Sequence, residues 1–92
     1  MFDVNISAED NKIFGKLVVD SYFFDKAKYN YAFYLYKNGQ KEKLDVRWYR
    51  NSMEVAFDVT GISGIFHIRC YIKDKEIGNV RAFNSEKVSI DS

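Results

Sequence analysis

Apolar and polar residues alternate with period two along most of this chain, the spacing of a strand with one face buried. Phe2, Val4 and Ile6 alternate with Asp3, Asn5 and Ser7. Ile13, Gly15, Leu17 and Val19 alternate with Phe14, Lys16 and Val18, so that segment is apolar on both sides. Met53, Val55, Phe57 and Val59 alternate with Glu54, Ala56 and Asp58, and Phe66, Ile68, Cys70 and Ile72 with His67, Arg69, Tyr71 and Lys73. The tail sets Val80 and Ala82 against Arg81 and Phe83, and then gives Val88 and Ile90. Gly61-Ile62-Ser63-Gly64 and Asp74 to Asn79 read as turns. Only Asp20 to Lys28 has room for a short helix.

Lys37-Asn38-Gly39-Gln40 is the strongest local signal, because Asn-Gly supplies the two positive-φ positions of a type I′ hairpin turn. A two-residue loop there would set Phe33 opposite Leu44, Tyr31 opposite Val46 and Tyr29 opposite Trp48, all on one face. Trp48 is then expected inside. The other face would carry Tyr36 with Lys41, Tyr34 with Lys43, Ala32 with Asp45 and Asn30 with Arg47. A slip of one residue would exchange the two sets.

About seven short strands with turns at this spacing predict a single all-β domain over residues 1–92, an antiparallel β-sandwich of immunoglobulin or fibronectin type III-like build. An open five-stranded barrel of the oligonucleotide-binding type is the alternative. At 92 residues the core depends on large side chains, and the chain is 47% hydrophobic and 17% aromatic. A formal net charge of +1 is not the basic excess of a nucleic-acid module, so no nucleic-acid partner is expected. No apolar run reaches bilayer length, and the first residues lack a signal-peptide pattern, so no membrane partner is expected. The lone Cys70 forms no internal disulfide. An isolated domain of this kind is expected to be monomeric.

From Tyr29 to Asp74 the chain resembles the three-Y domain of two-component regulators, a fibronectin type III-like module. The resemblance rests on Tyr31-Ala32-Phe33-Tyr34-Leu35, then Trp48, then Gly64-Ile65-Phe66 leading into an alternating strand. Phe66 stands where that family usually has tyrosine. The resemblance implies a non-catalytic module beside other domains, often in carbohydrate-related or extracytoplasmic bacterial proteins, and carries no catalytic residues with it.

The residues point the same way. His67 and Cys70 are the chain's only histidine and cysteine, and alternation sends them to opposite faces. They make neither a nucleophile–base pair nor a transition-metal site. The acidic pairs Glu9-Asp10 and Asp74-Lys75-Glu76 lack calcium-loop spacing, and there is no glycine-rich phosphate loop. No enzyme activity and no cofactor are expected.

One sheet surface is predicted to gather Tyr34, Tyr36, Arg47, Arg69, Tyr71 and Arg81, with His67, Phe83 and Tyr49 nearby. Three readings fit these residue types: cross-strand Tyr–Arg stacking that only stabilises the sheet, a contact with a neighbouring domain or partner protein, and a platform for an acidic glycan. The alternative binding region is the loop Tyr22-Phe23-Phe24, where at least one ring should plug the end of the core.

Overall fold

The computed structural model describes residues 2–91. Its strands are β1 (Phe2–Glu9), β2 (Lys12–Val19), β3 (Tyr29–Lys37), β4 (Asp45–Arg50), β5 (Glu54–Asp58), β6 (Gly64–Asp74), β7 (Val80–Asn84) and β8 (Val88–Ile90). The single helical turn among the described residues, a 3-10 turn at Lys26–Lys28, falls inside the stretch where a short helix has room. Two antiparallel sheets form: β1-β2-β5, and β4-β3-β6-β7 with β8 also paired to β6. The molecule is therefore a β-sandwich and not an open barrel.

Alternation explains the interior. Val4, Ile13, Leu17, Val55 and Phe57 from the three-stranded sheet, with Val59 just past the end of β5, meet Tyr31, Phe33, Leu35, Phe66, Ile68, Cys70 and Ile72 from the five-stranded sheet. Gly15 belongs to this layer: a Cβ there would lie 2.6 Å from Ile68 Cδ1 and 3.0 Å from Val55 Cγ1. The missing side chain lets the sheets approach. The one hydroxyl carried deep into the core, that of Tyr31, reaches the end of the sandwich and donates to the Lys26 carbonyl at 3.0 Å. Burial pushes that phenol up to about 12.

Among the described residues the strand count is eight because the last edge strand is interrupted. β7 and β8 pair with successive parts of β6. Between them the Ser85 hydroxyl accepts from the Ile68 amide at 2.8 Å, while the Ser85 amide donates to the Ile68 carbonyl at 2.8 Å. A side chain thus replaces one rung of the ladder.

The hairpin register differs from the expected one. The two-residue type I′ turn sits between β1 and β2, at Asp10 (φ 50°) and Asn11 (φ 64°), with Glu9 opposite Lys12. At Lys37–Gln40 only Gly39 has positive φ, 87°, and the Gln40 amide donates to the Lys37 carbonyl at 3.1 Å. That is a type II arrangement, and the chain runs on to Asp45 before β4 begins. Phe33 consequently pairs with Arg47 rather than Leu44, a shift of three residues (47 − 44). An odd shift reverses the faces of β4. Trp48, expected inside opposite Tyr29, is 60% exposed on the outer side.

Candidate functional site

The outer surface of the five-stranded sheet is built on β3 and β6. Their register sets Ala32 beside Tyr71, Tyr34 beside Arg69 and Tyr36 beside His67. A β-bulge in β4 adds to it. The pairing steps from Phe33–Arg47 to Tyr31–Arg50, so Trp48 and Tyr49 together oppose Ala32. Ala32 is fully buried although it points away from the core.

Tyr34 is the hub of this surface. Its ring centroid lies 4.7 Å from that of Tyr71, 6.4 Å from that of Tyr36 and 5.6 Å from that of Trp48, the last in an edge-on arrangement at 84°. Tyr36 stacks on His67 at 5.1 Å and 12°. Cations border the rings: Lys43 Nζ is 5.3 Å from the Tyr34 centroid, the Arg69 guanidinium 5.4 Å from Tyr71, and Lys73 Nζ 5.3 Å from Tyr49. The Arg69 Nε is covered and has no hydrogen-bond acceptor. Burial, followed by the adjoining Tyr71 phenol, raises the Tyr36 pKa above its ordinary value. Burial also raises Tyr49. His67 is lowered, first by burial and then by the charges of Lys87 and Arg69.

Four of the six residues predicted for this surface come together: Tyr34, Tyr36, Arg69 and Tyr71. Arg47 and Arg81 do not join them. The reversed register turns Arg47 inward beside Phe33, where its guanidinium lies 4.8 Å from the Phe57 ring and pairs with Asp45 at 3.1 Å. Its Nη2 also reaches the Ala56 carbonyl at 3.5 Å, so Arg47 closes the gap between β4 and β5. Arg81 aligns with Ile72 and Phe83 with Cys70, both on the inward side. The Arg81 guanidinium lies 5.0 Å from Phe2 and 5.3 Å from Phe83. Val80 and Ala82 resemble an inward pair, but the larger Phe83 ring takes the core position. Trp48 was missed as a surface residue because its side depended on the turn.

The alternative loop divides as its composition suggests. Phe24 seals the end of the core, stacked on Tyr29 at 5.0 Å and edge-on to Phe2 at 5.5 Å. Tyr22 and Phe23 remain 100% and 95% exposed. This loop and the turn after β6 share one end of the sandwich, where the Lys75 amide donates to the Lys28 carbonyl at 3.0 Å.

Cys70 is fully buried on the inner side of β6, and burial pushes its thiol up to about 12. His67 lies on the outer side of the same strand, so the sheet separates the two groups. Among the described residues no three His, Cys, Asp or Glu side chains gather as a metal site, and no helix is long and apolar enough to cross a membrane. Comparison with protein-family models, characterised proteins and solved structures finds no match.

Proposed function

We propose that this domain is a non-catalytic interaction module of a larger protein, and that it contacts a neighbouring domain or partner protein through the outer face of its five-stranded sheet. The observation that carries this reading is Trp48. A large apolar ring stands 60% exposed, braced edge-on by Tyr34 over a floor of further tyrosines. Tryptophan and tyrosine are the side chains most often found as interface anchors. The bordering cations Lys43, Arg69 and Lys73 favour a partner with acidic groups.

The fold assignment is part of the proposal. The strand order β1-β2-β5 against β4-β3-β6-β7 supports a fibronectin type III-like domain, as does the three-Y resemblance between Tyr29 and Asp74. Such modules commonly present a sheet face or an end loop while neighbours do the chemistry. A second reading, an acidic-glycan module, draws on the same exposed ring, because a flat apolar surface flanked by cations also suits a charged sugar.

The test uses a photo-crosslinking amino acid placed singly at Trp48, Phe14 or Tyr22 in the cell that makes the protein. Crosslinks to a discrete protein segment from position 48, absent from position 14 on the opposite sheet, support the proposal. Crosslinks from position 22 alone would assign contact to the loop end and overturn it. Saturable quenching of Trp48 fluorescence by a uronic-acid oligosaccharide would favour the glycan reading instead.

A further inference from the structure

A separate feature lies beyond the end of β4, lined by none of the residues of the ring cluster. Four segments wall a cleft of about 640 Å³: β2, the 3-10 turn, the β4–β5 connection and the turn after β6. Its lining includes Lys16, Lys26 and Lys75, with Asn51 and Ser52 as neutral polar groups and Leu17 in its apolar floor. Each lysine comes from a different element. One acidic side chain, Glu54, joins the lining and meets Lys16 at 3.8 Å. Three cations against one carboxylate is a local concentration of positive charge in a chain with net charge +1.

The walls are tied to one another. The Leu17 amide donates to the Met53 carbonyl at 2.9 Å, joining β2 to the β4–β5 connection. The Lys75 amide donates to the Lys28 carbonyl at 3.0 Å, joining the turn after β6 to the 3-10 turn. The buried Tyr31 hydroxyl holds the Lys26 carbonyl at 3.0 Å. The Asp25 carboxylate is engaged by the Ala27 amide at 3.0 Å, which caps the same turn. The backbone carrying Lys16, Lys26 and Lys75 is thus organised before anything binds, which lowers the ordering cost of binding.

We propose that this cleft binds a small organic molecule bearing a phosphate or sulfate group. The volume lies in the range of small-molecule sites. Lysine ammonium groups act as compact point charges with three donors each, which suits a tetrahedral oxyanion approached from several sides. The arginine fork that favours a planar carboxylate is absent from this lining. The partly exposed Met53 supplies apolar contact for the scaffold carrying the anion, and Asn51 can orient its hydroxyls. The Lys16–Glu54 pair is exposed, so opening it for a ligand costs little. The proposal is independent of the aromatic face.

Amide chemical shifts of the whole domain would be followed during titration with inorganic phosphate, inorganic sulfate, glucose 6-phosphate and a sulfated disaccharide. The expected result is saturable change confined to amides near Lys16, Lys26, Ser52 and Lys75, with an organic ester binding more tightly than the bare ion. The Lys26→Gln/Lys75→Gln double variant should weaken that binding by about tenfold or more while leaving the melting temperature unchanged. Tighter binding of the phosphate ester would identify a phosphorylated metabolite as the source, and tighter binding of the sulfated sugar a sulfated glycan. Non-saturating changes spread equally over Lys41, Lys43 and Lys87, or affinity unaltered in the double variant, would overturn the proposal. A Trp48→Ala variant should bind these probes normally, so failure of the aromatic-face reading would be recognised separately.

Discussion

The two sides of the five-stranded sheet carry almost equal numbers of rings and use them differently. On the inner side Tyr31, Phe33 and Phe66 are fully buried between the sheets. On the outer side Tyr34, Tyr36 and Tyr71 are half-buried against one another, and Trp48 stands proud of them. The inner rings are held by a second sheet. The outer rings are held by their neighbours on the same surface and by the cations beside them. Removing an inner ring opens a cavity, whereas removing an outer ring exposes a neighbour to water that it already meets. The outer arrangement is therefore compatible with the contact proposed for it.

The sharpest way to break the comparison is to truncate an inner ring. Phe33→Ala should cost about 3–5 kcal/mol, because the packed sheets cannot close on the space left behind. That is a large part of the stability of a small domain, usually about 5–15 kcal/mol. Denaturant titration measures it. Gly15→Ala should cost about 1–3 kcal/mol by overpacking, since its Cβ would meet Ile68 Cδ1 at 2.6 Å inside a full core. If this variant were neutral, the sheets would be less tightly apposed than their contacts indicate.

Cys70 and His67 compare the two sides chemically. With its pKa pushed up to about 12 and no exposure, Cys70 should resist a thiol reagent at pH 8 in the folded protein. Labelling should proceed only as fast as the domain opens. His67, on the outer side, should give a small pH effect. Its folded pKa lies below the ordinary 6.5, so the unfolded chain takes up the proton first as pH falls. Stability should be full above about pH 6.5, decline as pH drops through the folded pKa, and then level off. In His67→Gln the difference in melting temperature between pH 7.5 and pH 5 should be smaller than in the parent.

Period-two alternation made most of the sandwich legible. Val4, Ile13, Leu17, Val55, Phe57, Phe66, Ile68 and Ile72 all occupy the interior that their spacing predicts. Apart from β2, where Phe14 and Val18 make the outer side apolar as well, these residues lie on strands whose two sides differ clearly in polarity. The errors fall on β4 and β7, which end the five-stranded sheet. Around Val46, Arg47, Trp48 and Tyr49 both sides carry apolar bulk, so the pattern does not choose a register, and the turn was left to decide it. Asn38-Gly39 pointed to a two-residue loop. The chain instead places its type I′ turn at Asp10-Asn11, residues that also tolerate positive φ. Arg47 was consequently assigned to the wrong side and the exposure of Trp48 was hidden in that one turn, whereas Arg81 was misplaced because Val80 and Ala82 resemble the inward pair of β7. The basic cleft was beyond reach for another reason: Lys16, Lys26 and Lys75 meet only through tertiary structure.

If the outer ring surface serves contact, as proposed, it does not hold the fold together. A guanidinium titration of the Tyr36→Ala/Trp48→Ala double variant tests it most directly. Both residues leave the inter-sheet core untouched, and their three ring contacts, on a surface that water already meets, fall at the low end of the range for such pairs, about 0.5 kcal/mol each. The expected result is a loss of less than about 2 kcal/mol with an unchanged denaturant slope. A loss as large as that of Phe33→Ala, about 3 kcal/mol or more, would contradict the claim and make these rings a second core.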